Sequence, residues 1–364
     1  MTGPIEARGV VVRAAGAPAV VETLVVDPPG PGEVLVKVVA AGVCHTDLHA
    51  KLGNFGTAFP YLLGHEATAI VEAVGSGVTT PVTGDTVVLT WRAPCGRCRF
   101  CEAGKPQLCA QTLKAAPRLR TEDGQTLGRV LGIGSLATHT IVAAEQAIPI
   151  AADLAPEATA LLGCAVGTGV GAVLNAAAME TGSTAAVFGC GSIGMSVILG
   201  AKIAGAARII AVDRVARKLD WAREFGATDV VDAATTDPVA RIRELTGTGV
   251  GYAFECVGLP QTVEQAIASC DSSGLCVIIG VPAPTAKMSL DLARFFYSRG
   301  RLRATAYGDC LPSRDIPRFG DLYREGKLDL DRLVSARIAL EDVESAFGQL
   351  ERGEVLRSVV MMPR

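Results

Sequence analysis

Apolar and polar positions change rhythm twice along the 364 residues of the chain. From residue 1 to about 150 the apolar runs are short, rich in valine and bounded by proline or glycine: "GVVVR", "AVVETLVV", "GEVLVKVVAAGV", "TAIVEAVG" and "DTVVLTWR". Such runs predict strands, and their density predicts a compact, irregular β-barrel with long loops. Between about 165 and 305 the pattern lengthens. "TAAVFGCGSIGMSVILGAKIAGAARIIAVD" reads as an apolar strand, a glycine turn, a small-residue helix and a second apolar strand. It continues as helix "RKLDWAREFGA", strand "TDVVD", helix "DPVARIRELTG", strand "YAFECVG", helix "TVEQAIASC" and strand "GLCVIIGVP". That alternation predicts a doubly wound parallel sheet. From about 306 the pattern is mixed again, with an amphipathic helix at "EDVESAFGQLERG" and a closing strand "RSVVMM". The expected organisation is an α/β protein with a β-barrel domain at 1–165, a nucleotide-binding domain at 166–305 and a return to the first domain at 306–364.

Composition narrows the function classes. Hydrophobic residues make up 49% and charged residues 20%, a globular balance. The net charge of -3 offers no basic field, so nucleic acid is not an expected partner. Glu6, Arg8 and Arg13 break the apolar stretch that an export signal needs, and no charge-free run is long enough to cross a bilayer. A cytoplasmic protein without a membrane partner is expected. Eleven cysteines, an odd number, in such a chain point to metal ligands and buried thiols rather than to a disulfide framework.

Gly189, Gly191 and Gly194 form G-x-G-x-x-G between an apolar strand and a helix, and the next strand ends in Asp213, nineteen residues after Gly194. Glycines let the backbone approach a pyrophosphate, which the helix N-terminus stabilises, while the acid accepts hydrogen bonds from a ribose and repels a 2'-phosphate. NAD is favoured over NADP on this ground.

"CGRCRFCEAGKPQLC" spaces Cys95, Cys98, Cys101 and Cys109 closely enough to wrap one tetrahedral ion, leaving it no open position. This predicts a structural zinc, with an iron–sulfur cluster as the chemical rival. "CHTDLHAKLGNFGTAFPYLLGHEATA" holds three of the chain's four histidines. Cys44 and His65 are suitable ligands for a catalytic zinc, which takes about three protein ligands and keeps a position open. Cys164, in "LLGCAVGTGVGA", is the best third ligand. Cys190, Cys256, Cys270, Cys276 and Cys310 read as buried thiols, and His139 as structural.

Taken together, "GVCHTDLH", "GHE", the four-cysteine lobe, "GCAVGTGVGA", "GCGSIG" with Asp213 and the late "LRSVV" resemble the zinc-dependent medium-chain alcohol dehydrogenases over nearly the whole chain. The resemblance implies a GroES-like catalytic barrel, a Rossmann domain, two zinc ions per subunit and NAD. It implies catalytic zinc on Cys44, His65 and Cys164, with Glu66 as an inner or alternate ligand and Asp47 fixing the His65 tautomer. It implies that Thr46 takes the substrate hydroxyl proton and that His49 passes it to solvent. His45 and Arg357 are implied at the pyrophosphate, Lys218 at the adenosine ribose, and Thr168 and Ile193 along the nicotinamide. Trp91 falls where the family has an aromatic pocket wall. The reaction implied is reversible hydride transfer between a primary alcohol, or its aldehyde, and NAD.

One position departs from the pattern: Ala69 stands where "GHExxG" has glycine, so a different local geometry behind Glu66 is expected. "WRAPCGRC", "LGIGSLA" and "YGDCLPSRD" are most similar to the actinobacterial mycothiol-dependent formaldehyde dehydrogenases, so oxidation of a thiol–formaldehyde adduct is the alternative to an ordinary alcohol. A dehydrogenase that never releases its NAD and a non-catalytic nucleotide-binding relative are further alternatives. A homodimer or homotetramer is implied, with "GLCVIIGVP" as the strand pairing across the sheet edge.

Overall fold

The computed structural model describes residues 3–54, 56 and 58–363. Two compact units divide the chain: residues 1–164 with 311–364, and residues 165–310.

The first unit holds two sheets built from the valine-rich runs. The strand Glu33–Gly42 pairs antiparallel with Ala67–Val74, His139–Ala143 and the C-terminal strand Arg357–Met361, so the last element of the chain closes onto one of the first. A second sheet centres on Ile5–Val12 and Val20–Val26. Val34, Val36, Val38, Ala67, Val71, Val87 and Val360 share one buried core. Ala69 belongs to that core. It lies in the strand Ala67–Val74, opposite Val38 on one side and Val87 on the other, and is fully buried; the register against Glu33–Gly42 shifts directly beside it, between Val38 and Ala40. Its methyl is packed as an ordinary strand residue.

In the second unit six parallel strands run in the order Asp229–Asp232, Arg208–Asp213, Thr184–Phe188, Val250–Glu255, Cys270–Ile278, Arg301–Ala304. The chain starts in the middle, winds outward one way, then returns and winds the other. The order reverses between Thr184–Phe188 and Val250–Glu255, the place where open sheets of this kind receive ligands. Phe188, Ile210, Val212, Phe254 and Cys276 are buried in these strands.

Three elements differ from expectation. "GLCVIIGVP" is not the sheet edge: Cys270–Ile278 is paired on both sides, and the outer strand is Arg301–Ala304, whose four residues are all exposed. Its alternation of arginine with Leu302 and Ala304 lacks the apolar run that marked the other strands. The helix Pro312–Arg324 also lies in the region read as mixed. Among the five remaining cysteines, Cys190, Cys276 and Cys310 are buried, but Cys256 and Cys270 are only partly so. No single helix among the described residues is long and apolar enough to cross a membrane.

Candidate active site and metal centres

Cys44 is the N-cap of the helix His45–Lys51, two residues beyond the end of Glu33–Gly42. One turn into that helix, the buried Asp47 carboxylate gathers the site. Its Oδ2 accepts from the Cys44 amide at 3.3 Å, and its Oδ1 accepts from the Gly64 amide at 2.8 Å and from His65 Nδ1–H at 3.0 Å. Gly64 must be glycine. It has φ +95°, and a Cβ there would stand 2.1 Å from the Leu136 amide nitrogen. With Nδ1 committed to Asp47, His65 presents Nε2 as the ligand atom, 3.3 Å from Cys164 Sγ.

The donor atoms of Cys44, His65 and Cys164 all lie within 4.8 Å of one another, and all three residues are buried. Their electrostatics call for a cation. The Cys44 thiol is held well below its usual range by a hydrogen bond from Cys164, with Arg357 and His65 acting in the same direction against burial. Burial would depress the His65 imidazolium, but Asp47 and Cys44 outweigh it and hold the ring well above its usual value. A divalent ion answers both demands, and two thiolates with one imidazole suit zinc. Glu66 stands outside this group. Its carboxylate is 3.3 Å from the guanidinium of Arg357, and burial pushes it up to about 7 against the pull of that guanidinium. Arg357 is itself buried and donates to the Val43 carbonyl at 2.9 Å, while its Nε has no hydrogen-bond partner among the described residues.

The four-cysteine lobe is built differently. Sγ–Sγ separations are 3.6 Å for Cys98–Cys101, 3.9 Å for Cys98–Cys109 and 3.6 Å for Cys95–Cys109. Zn–S bonds of about 2.3 Å set the edges of a thiolate tetrahedron at about 3.8 Å, whereas a cluster holds its thiolates farther apart. The spacing therefore fits a single ion. Main-chain amides of Cys95 and Gln111 donate to Cys109 Sγ at 3.3 and 3.4 Å, and the amide of Cys101 helps to hold the Cys98 thiol down to about 6.

The helix His45–Lys51 carries the other polar residues of its motif. Thr46 is half-buried, while His45 and His49 are exposed. Asn54, which sequence reading passed over, places its amide nitrogen 2.9 Å from His49 Nδ1. The helix cap makes residue 54 a neighbour of residue 49, with the Asn54 amide donating to the His49 carbonyl at 3.0 Å; the one sequence signal is Gly53, just past the helix end with φ +83°. The far end of the helix is tied down by Lys51, which is 2.6 Å from Glu344, whose other oxygen accepts from the Ala19 amide at 2.9 Å. Trp91 is half-buried and packs against the barrel core.

In the second unit the glycine turn follows Thr184–Phe188 and opens the helix Ser192–Ile203. Gly194 admits no side chain, because a Cβ would lie 1.9 Å from the Gly189 carbonyl oxygen, whereas a Cβ on Gly191 would meet nothing within 4 Å. Tight backbone beside open space at a helix N-terminus is a cradle of the kind that receives a pyrophosphate. Asp213 braces it, with Oδ2 accepting from the Cys190 amide at 2.7 Å and Oδ1 from the Val215 amide at 2.9 Å. Lys218 is half-buried in the helix Ala216–Phe225, Ile193 is half-buried in the helix that the turn opens, and Thr168 is buried in Ala165–Gly171.

The fold and the two donor sets together define a zinc-dependent, nucleotide-linked oxidoreductase. Comparison with known proteins agrees. Residues 30–152 match the alcohol dehydrogenase GroES-like domain and residues 192–325 the zinc-binding dehydrogenase domain. Over 98% of its length the chain is 36% identical to a probable S-(hydroxymethyl)glutathione dehydrogenase of Schizosaccharomyces pombe, covering 97% of that protein. A zinc-binding alcohol dehydrogenase domain protein from Burkholderia ambifaria superposes with a TM-score of 0.95 at 36% identity, covering 99% of this chain and all of that one. Benzyl alcohol dehydrogenase from Acinetobacter calcoaceticus gives 0.93 at 31% identity with the same coverage. The chain belongs to the zinc-dependent medium-chain alcohol dehydrogenases. Cys95, Cys98, Cys101 and Cys109 form its structural zinc site, and Cys44, His65 and Cys164 its catalytic one.

Proposed function

We propose that the protein catalyses reversible hydride transfer between a primary alcohol, aliphatic or aromatic, or its aldehyde, and NAD. The observation that carries this reading is the buried set of Cys44, His65 and Cys164 with Asp47 fixed on the far nitrogen of His65. Zinc held there supplies Lewis acidity toward the substrate oxygen, and the nicotinamide supplies the hydride acceptor. The chain's own residues do the rest. Thr46 Oγ accepts the proton of the substrate hydroxyl, and His49, exposed at the end of the same helical turn, delivers it to solvent. Glu66 acts as an alternate ligand only by leaving Arg357. The main chain of the glycine turn and the helix Ser192–Ile203 hold the pyrophosphate, and the family resemblance supports His45 and Arg357 as cationic residues for the same group. Asp213 takes the ribose hydroxyls and disfavours a 2'-phosphate, which supports NAD; Lys218 meets the same ribose, and Thr168 and Ile193 line the nicotinamide. Trp91 narrows the space for the alcohol.

NADH formation measured over a panel of alcohols tests the reading. Cys44→Ser and His65→Ala should abolish turnover while leaving NAD binding, and NAD binding without turnover of any alcohol by the parent protein would sink it. Nucleotide that leaves only on denaturation would mark a permanently held cofactor. A second reading, oxidation of a thiol–formaldehyde adduct, is favoured by the S. pombe relative and, for mycothiol, by the "WRAPCGRC", "LGIGSLA" and "YGDCLPSRD" stretches. Running the panel with formaldehyde plus glutathione or mycothiol separates the two. We also propose a homodimer or homotetramer in the cytoplasm, with the exposed strand Arg301–Ala304 as the pairing edge; Val281, Phe296 and Tyr297, between 75% and 85% exposed, lie close to it in sequence. Sedimentation of the parent and of Leu302→Pro tests this.

A further inference from the structure

We propose that Arg92 is a positioning residue that braces the Trp91 indole against the four-cysteine lobe, so that the structural zinc site helps to set the wall the alcohol meets. The inference rests on Trp91 being that wall. The guanidinium of Arg92 donates from one nitrogen to the carbonyls of both Gln107 and Cys109, each at 3.0 Å. Its central carbon lies 5.6 Å from the centre of the Trp91 ring, within cation–π range. The Arg92 amide donates to Thr90 Oγ1 at 3.3 Å, and the Leu113 amide donates to the Ala93 carbonyl at 2.8 Å, so the main chain is pinned on both sides of residue 92.

The physical reason for coupling is the identity of the acceptor. Cys109 is a zinc ligand and is buried, and its amide donates to the Pro106 carbonyl at 3.0 Å, so a metal held by its sulfur fixes its main chain together with that turn. A guanidinium anchored to that carbonyl carries the constraint seventeen residues back to residue 92 and onto the neighbouring ring. A planar fork can share carbonyls and lie over an aromatic face at once; a lysine ammonium has no such plane. Trp91 is also packed against the barrel core, so the core and Arg92 both bear on the ring.

The test uses the full-length, zinc-loaded protein with Trp221→Phe, which leaves Trp91 as the single indole. Zinc content is measured in every variant, Trp91 is read by emission and acrylamide quenching, and kcat and KM are taken for ethanol and benzyl alcohol. Arg92→Ala at full zinc content should raise quenching about twofold. It should change the benzyl-to-ethanol ratio of kcat/KM by about fivefold or more, through KM, with ethanol kcat within about twofold of the parent. Arg92→Lys should fall between. Cys98→Ser should produce the same changes beside Arg92 and add nothing to Arg92→Ala. Unchanged quenching in Arg92→Ala at full zinc content overturns the brace, and so do additive effects of the two substitutions. Should Cys98→Ser fail to fold, the Arg92 variants decide alone. Altered quenching with an unchanged substrate ratio leaves the brace standing and removes Trp91 from the pocket wall.

Discussion

The two zinc sites hold their metal by opposite means. The lobe takes four ligands from fifteen consecutive residues, leaves three of them half-exposed and tunes its thiols with main-chain amides. The catalytic site takes three ligands from residues 44, 65 and 164, buries all of them and relies on one carboxylate, Asp47, to align two segments at once. Four thiolates complete a tetrahedron and make a clamp. Three donors with a locked imidazole leave a position for substrate, and their geometry then depends on the fold rather than on local spacing.

The strongest way to break this contrast is Asp47→Ala. It frees His65 Nδ1 and the Cys44 and Gly64 amides together, so total zinc should fall from about two to about one per chain, and kcat/KM by on the order of 100-fold or more. Elemental analysis with an NADH assay reads both, and retention of two zinc ions would show that the ligands need no carboxylate. The reciprocal change, Cys98→Ser, should lower the melting temperature by roughly 5–15 °C yet leave ethanol kcat within about threefold. A collapse of ethanol turnover in the folded variant would mean that the lobe is part of the chemistry.

Glu33 sharpens the contrast, because it anchors the chain leaving the lobe. It accepts from the Gly30 and Ala116 amides, each at 2.7 Å, and pairs with Arg118. Burial alone would raise this carboxyl, but those hydrogen bonds and the guanidinium hold it below its usual value. A lowered folded pKa adds stability above about pH 4.5 that is lost as the pH falls through the folded value. Glu33→Gln should therefore cost about 1–3 kcal/mol at neutral pH and nothing in strong acid, where denaturant curves of the two proteins should meet. Curves that stay equally apart at every pH would remove Glu33 from the acid response. The smallest effect is expected at Asn54→Ala, which frees His49: alcohol oxidation should slow about threefold to tenfold in kcat, with zinc content unchanged. An unaltered kcat would show that His49 needs no partner at Nδ1.

Much of this was legible in the residues. The Cys95–Cys109 spacing already specified a four-thiolate metal lobe, because ligands that close in sequence meet whatever the rest of the chain does, and the Sγ–Sγ separations then favoured one ion over a cluster. The glycine turn with Asp213 was legible for the same reason: strand, turn, helix and strand are consecutive, and local geometry alone places the acid beside the turn. The sheet edge was not, since Arg301–Ala304 has the composition of a surface segment and becomes a strand only because Cys270–Ile278 offers it a ladder. Nor was the setting of Glu66, which sits beside His65 in sequence but turns to Arg357, 291 positions away, because Arg357–Met361 pairs with Glu33–Gly42.

By itself, then, the sequence determined the doubly wound sheet, the zinc lobe and the glycine turn and, through its family resemblance, the identity of the three catalytic ligands. Tertiary structure alone decided how those ligands meet, that Asp47 serves two segments and that Arg92 spans from the lobe to Trp91. The reason is range: periodicity and spacing encode interactions within a turn or a strand. A buried carboxylate or guanidinium takes whichever partners the packed core brings to it, and those partners leave no mark on the residues around it.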